Sequence, residues 1–156
     1  AVRPDDRAAL RARVGHEDVD AVELLADGRM LISTFGTVSV TGASGVDEDV
    51  LAFTPASLGA TTAGTWAFYF DGSDVGLADS SSEDVDGLAA SASGTIYLST
   101  TGSFTVTGVS GADEDVFVFT PTTLGSVTAG AYSSVLFFDG SLYGLSANDV
   151  FAIDLP

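Results

Sequence analysis

Twice in this chain three acids stand in a row behind a glycine: Gly45-Val46-Asp47-Glu48-Asp49 and Gly111-Ala112-Asp113-Glu114-Asp115. Adjacent carboxylates repel unless a cation or hydrogen bonds compensate. Hard cations such as calcium take about 6 to 8 oxygen ligands from carboxylates and loop carbonyls. Two further acidic groups recur. One is Asp71-Gly72-Ser73-Asp74, with the weaker copy Asp139-Gly140-Ser141. The other is Glu83-Asp84-Val85-Asp86, with copies Glu17-Asp18-Val19-Asp20 and Asn148-Asp149. Asp47, Glu48, Asp49, Asp113, Glu114, Asp115, Asp71, Asp74, Asp84 and Asp86 are therefore candidate calcium ligands. The competing reading is structural. No segment matches an Asp-x-Asp-x-Asp-Gly loop, consecutive acids on an extended backbone diverge, and Asp in turns commonly hydrogen-bonds the backbone.

Other chemistry is thinly supplied. His16 is the single histidine, and there is no cysteine and no lysine. Thiol catalysis, disulfides and cysteine zinc sites are thereby excluded. No Gly-x-Ser-x-Gly elbow surrounds a serine. Paired carboxylates can perform glycosidic acid/base work, but each acidic group recurs, as structural turns would. Nothing resembles a phosphate-cradling loop opening a helix or an arginine–aromatic nucleic-acid surface. The expectation is a non-catalytic protein. Trp66, Tyr69, Tyr97, Tyr132 and Tyr143 offer sugar platforms, although most lie on predicted strands and read as core.

The elements that position these groups come from a duplication. Residues 17–64 and 83–130 align without a gap, and 26 of the 48 positions are identical. Phe70-Asp71-Gly72 recurs as Phe138-Asp139-Gly140 after a two-residue slip, and Asn148-Asp149-Val150-Phe151-Ala152-Ile153 restarts the unit. The chain divides into a head at 1–16, repeat 1 at 17–82, repeat 2 at 83–147 and the first strand of a third repeat at 148–156. A period of this length indicates a repeat architecture. Each repeat parses into strands at 19–25, 30–35, 50–54 and 66–70, then 85–90, 96–101, 116–120 and 133–138, with a last strand at 150–155. Asp27-Gly28 and Ser93-Gly94 mark hairpin turns, and short segments at 37–41 and 103–107 precede the acidic loops. Pro55 and Pro121 are expected to stop the third strands. Continuous apolar runs in the third and fourth strands predict cover on both faces. The fold class is all-β: tandem duplicated four-stranded antiparallel sheets, blade-like or paired as a β-sandwich, with a short N-terminal helix or arm.

Charge is segregated. The chain carries five Arg and 22 acids for a net −17. Arg3, Arg7, Arg11 and Arg13 lie in the head, leaving one Arg against 20 acids from Val14 onward. An acidic body repels nucleic acid and anionic lipid. No stretch reaches the roughly 20 apolar residues of a membrane helix. Beginning at Ala1, the chain fits a processed extracellular or cell-surface protein.

The order Glu-Asp-Val-Asp-Ala-Val, Ala-Asp-Gly-Arg-Met-Leu-Ile-Ser-Thr, Asp-Glu-Asp-Val-Leu-Ala-Phe-Thr-Pro and Trp-Ala-Phe-Tyr-Phe-Asp-Gly-Ser-Asp-Val-Gly-Leu resembles β-propeller-type repeats of secreted bacterial proteins. The resemblance spans residues 17–156 and implies one four-stranded blade per repeat. Propellers need about 4 to 8 blades, so two blades and a fraction imply assembly with copies of the same chain. Arg3, Arg7, Arg11, Arg13, Val150 and Ile153 are the expected self-assembly residues, joining copies head-to-tail into a ring or a filament. A lectin-like glycan-binding oligomer and a calcium-dependent lactonase-like hydrolase are the alternatives.

Overall fold

The structure is a computed structural model that describes residues 18–155. The head, with Arg3, Arg7, Arg11, Arg13 and His16, lies outside the described residues, as does the helix or arm expected there.

The chain is all-β and runs through the same arrangement twice. Repeat 1 comprises β1 (Val19–Leu24), β2 (Met30–Thr34), β3 (Val38–Val40), β4 (Ala43–Gly45), β5 (Val50–Ser57) and β6 (Ala63–Phe70). Repeat 2 comprises β7 (Val85–Ala90), β8 (Ile96–Thr100), β9 (Phe104–Val106), β10 (Val109–Gly111), β11 (Phe117–Thr123) and β12 (Ala129–Tyr132). Each repeat forms one four-stranded antiparallel sheet, ordered β1-β2-β5-β6 and β7-β8-β11-β12, and one small hairpin, β3-β4 or β9-β10. The registers agree: Phe53 faces Trp66 where Phe119 faces Tyr132. Both rings pack on their partners, at 4.8 and 5.0 Å.

Turn chemistry sets this order. Gly28 and Gly94 take φ of 89° and 86°, a region costly for residues with a Cβ, and close the first hairpins. The hairpins β3-β4 and β10-β9 go beyond the sequence pattern, which marks only short segments at 37–41 and 103–107 ahead of the acidic loops. Three-residue strands are too short to show a period.

Four expectations need correction. The third strands do not stop at Pro55 and Pro121; β5 and β11 run on to Ser57 and Thr123. Pairing of β2 with β5 reaches only Phe53, so Pro55 needs no N–H donor on that side and pairs through β6 alone. The last strand of repeat 2 is not 133–138: β12 covers Ala129–Tyr132, and only an isolated bridge, Val116 to Phe138, follows the extra Ser133-Ser134 pair. Residues 150–155 form no strand, because they have no second strand beside them to build a ladder. Finally, β6 is covered on both faces only at Tyr69 and Phe70; its first residues are exposed.

One continuous core joins the repeats. Leu31, Val50 and Phe70 from repeat 1 cluster with Val85, Leu88, Leu98, Phe117 and Phe119 from repeat 2. The Phe70 ring meets Phe119 edge-on at 5.3 Å across the junction. Among the described residues no helix is long and apolar enough to cross a membrane.

Candidate functional site

Two features stand out: a buried acidic loop at the junction between the repeats, and a pair of complementary faces that the junction leaves uncovered. The acidic loop separates into residues with different duties. Asp49 is a fastener. Its Oδ2 accepts from Val46 N–H at 2.9 Å and its Oδ1 from Gly72 N–H at 3.0 Å, tying the loop to the turn after β6. Asp115 repeats this with Ala112 N–H at 2.9 Å and Gly140 N–H at 3.1 Å. Burial pushes the Asp49 carboxyl upward, opposed by those two backbone donors.

Asp47 and Glu48 have no such partners. Glu48 is 1 % exposed and Asp47 8 %. Both Glu48 carboxylate oxygens and Asp47 Oδ1 lack a hydrogen-bonding group. Burial, then the neighbouring Asp47 carboxyl, pushes Glu48 up to about 8. A third acid reaches the same point. One carboxylate oxygen each from Asp47, Glu48 and the exposed Asp79 lie within 4.8 Å of one another. Recurrence between repeats, the criterion that singled out Asp49 and Asp115, could not find Asp79, since residues 78–82, the linker at the end of repeat 1 that leads into repeat 2, have no full copy. In repeat 2 Glu114 and Asp115 are buried and Asp113 half-buried. The segment after Leu145 runs Ser146-Ala147-Asn148, three residues shorter than the one after Leu77, and offers no matching acid.

The remaining candidates are structural in their contacts. Asp71 Oδ1 accepts from Ser73 Oγ at 2.7 Å. Asp74 Oδ2 accepts from Thr128 N–H at 2.8 Å, and Asp71 N–H donates to Thr128 Oγ1 at 2.9 Å. Together they clasp repeat 2. Asp84 and Asp86 are buried on β7. Asp86 Oδ1 lies within hydrogen-bond distance of Ser99 Oγ, at 3.1 Å. Burial first, then the Asp149 charge, pushes Asp86 up to about 8. Among the described residues Arg29 is the one cationic side chain, and it is committed to Asp27 at 2.8 Å. The aromatics divide: Tyr69 is buried and Trp66 and Tyr132 are partly covered, but Tyr143 is exposed rather than core.

The faces are legible by comparing equivalent residues. In repeat 2, Ile96, Leu98 and Phe119 are fully buried and Thr128 nearly so; from repeat 1, Phe70 meets Phe119, and Asp71 and Asp74 bond Thr128. Their equivalents Met30, Ile32, Phe53 and Thr62 line an open groove of about 710 Å³, with Val40 and Trp66 beside them. Likewise Val85 and Leu88 are buried where Val19 and Val22 are exposed. The far side of repeat 2 mirrors this. Phe70, met by Phe119 of repeat 2, and Leu77 are buried, whereas Phe138 and Leu145 are only half-buried and Tyr143 is exposed.

Residues 148–155 lie where a third repeat would begin. Val85 N–H donates to the Asp47 carbonyl at 3.0 Å, and Val150 N–H donates to the Asp113 carbonyl at 2.8 Å in the same manner. Ser99 Oγ donates to the Val150 carbonyl. Ile153 is half-buried and Phe151 exposed.

Comparison with known proteins gives no match: no family model fits this chain, no curated protein matches it, and no solved structure matches it.

Proposed function

We propose that this chain is a non-catalytic structural module that joins head-to-tail with a second copy of itself, outside the cell. The single observation that carries the reading is the groove on repeat 1. Its residues have the types and register of those that repeat 2 buries against repeat 1. The complementary knob, Phe138 with Leu145, stands on the far side of repeat 2, partly uncovered. A face that fits inside the molecule fits again between molecules, and repeating that contact generates a ring or a filament.

Two differences make the contact between copies weaker than the internal one. Leu142 stands where Asp74 clasps Thr128, so Thr62 of the next copy gains no carboxylate acceptor. Residues 148–155 also occupy the place of the incoming first strand. They hold it outside any ladder, through the Val150 bonds and the contact of Asp149 with Asp86, so they are the part that yields. Net charge of −17 opposes association, and salt near 0.5 M should relieve that repulsion as the screening length falls well below about 8 Å. The basic head, with its four arginines, is the expected electrostatic partner for an acidic neighbour.

Light scattering across a concentration series, in low and high salt, tests the proposal. Trp66 is the chain's one tryptophan and lines the groove, so its emission should shift to the blue as mass rises. Thr62→Arg, at an exposed groove position, should leave the fold intact and abolish association. A mass fixed at 15.8 kDa in both salts would overturn the reading.

A further inference from the structure

We propose that Asp47, Glu48 and Asp79 form one binding site per chain for a hard divalent cation of the calcium class, fastening repeat 1 to the linker that leads into repeat 2. The argument begins with Glu48. A carboxyl group at 1 % exposure, facing no donor other than the neighbouring Asp47 carboxyl, is costly in isolation, since a buried polar group needs a hydrogen bond and a buried charge a partner. Asp47 Oδ1 shares that condition. Arg29 cannot help, being held by Asp27. The side chains converge, with one oxygen from each of the three acids within 4.8 Å of the others. That spacing suits oxygens around one ion with bonds of about 2.3–2.6 Å.

The surroundings hold the site in shape. Asp49 fixes the loop from the other side through Val46 and Gly72, so the loop backbone is braced without using Asp47 or Glu48. Gly72 packs so closely that a Cβ there would strike the Glu48 carbonyl and crowd its side chain. The Asp47 carbonyl receives Val85 N–H at 3.0 Å, so the loop already bears on the first strand of repeat 2. Asp79 stays exposed, which leaves an entry path and room for water ligands. Repeat 2 keeps Asp113 and Glu114 but has no counterpart of Asp79. The stoichiometry should therefore be one. The rival account of the same geometry is a proton shared between Asp47 and Glu48, with no ion.

Calorimetric titration of the chelator-treated whole chain with calcium chloride, and separately with magnesium chloride, decides between them. The expected result is saturable binding of one calcium per chain and a rise in melting temperature on saturation. Asp79→Asn, on an exposed residue, should weaken binding at least tenfold without unfolding the chain. Glu48→Gln should do the same, and Asp113→Asn should leave binding unchanged. Absence of saturable binding up to about 10 mM of either ion, beyond the range of weak protein sites, would overturn the proposal. So would an Asp79→Asn chain that binds as wild type. If Glu48→Gln fails to fold, Asp79→Asn alone carries the decision.

Discussion

Thr128 is the sharpest place to test how the two repeats are joined. It is 4 % exposed, its Oγ1 accepts from Asp71 N–H at 2.9 Å, and it donates to the Gly125 carbonyl at 2.9 Å. Thr128→Val keeps the shape and removes the hydroxyl. Two groups of the junction then lose their partner. The net loss of a hydrogen bond is about 1 kcal/mol, and leaving buried polar groups unpaired raises the cost to roughly 1–3 kcal/mol. Thr62 is the equivalent residue of repeat 1 and is exposed, its Oγ1 donating only to Gly59. Thr62→Val should stay within about 0.5 kcal/mol of wild type. Urea unfolding of dilute protein separates the two. With an m-value near ~1.5 kcal/mol/M, a loss of ~2 kcal/mol moves the midpoint by more than ~1 M. Equal midpoints for the two variants would refute the clasp between repeats and the face equivalence built on it.

Two further outcomes follow from the geometry. The folded chain holds the Asp86 proton up to about pH 8, while the unfolded chain releases it near its ordinary value of about 4. Stability contributed by that group is therefore full below about pH 4 and is lost as pH rises toward about 8, with a slope approaching ~1.4 kcal/mol per pH unit. Asp86→Asn should flatten the profile in chelator-containing buffer, and identical profiles for variant and wild type would contradict the assignment. Deleting residues 148–156 should strengthen association, since the place beside Asp113 is vacated for the first strand of another copy; scattering that shows weaker association would point to strand exchange instead.

The sheets were readable from sequence because their signals are local. Asp27-Gly28 and Ser93-Gly94 announce turns whose positive φ the structure contains, and duplication doubled the evidence for each strand. The failures are non-local. Pro55 reads as a stop, yet pairing on its open side ends at Phe53, which no window around Pro55 reveals. Asp49 reads as a metal ligand until Gly72, 23 residues away, is seen to occupy it. Asp79 was invisible for the opposite reason: it has no copy, and recurrence selects groups that hold each repeat together. What distinguishes the acidic loop of repeat 1 lies in the linker between repeats.

The outermost strand of the first sheet carries a hazard of its own. β6 is eight residues long, bears no charge and no proline, and borders its sheet on one side. Up to Phe68 its outward amides and carbonyls resemble a template for cross-β growth, while the Tyr69 carbonyl accepts from Gly125 N–H at 2.9 Å; β12 is cut short after four residues. Mutual repulsion among strongly anionic molecules opposes such zipping, and it fades as the pH falls toward about 4.1, where the composition balances its charges. Thioflavin fluorescence rising as the pH is lowered toward about 4.1 is the expected sign of that hazard, and a flat signal would contradict it.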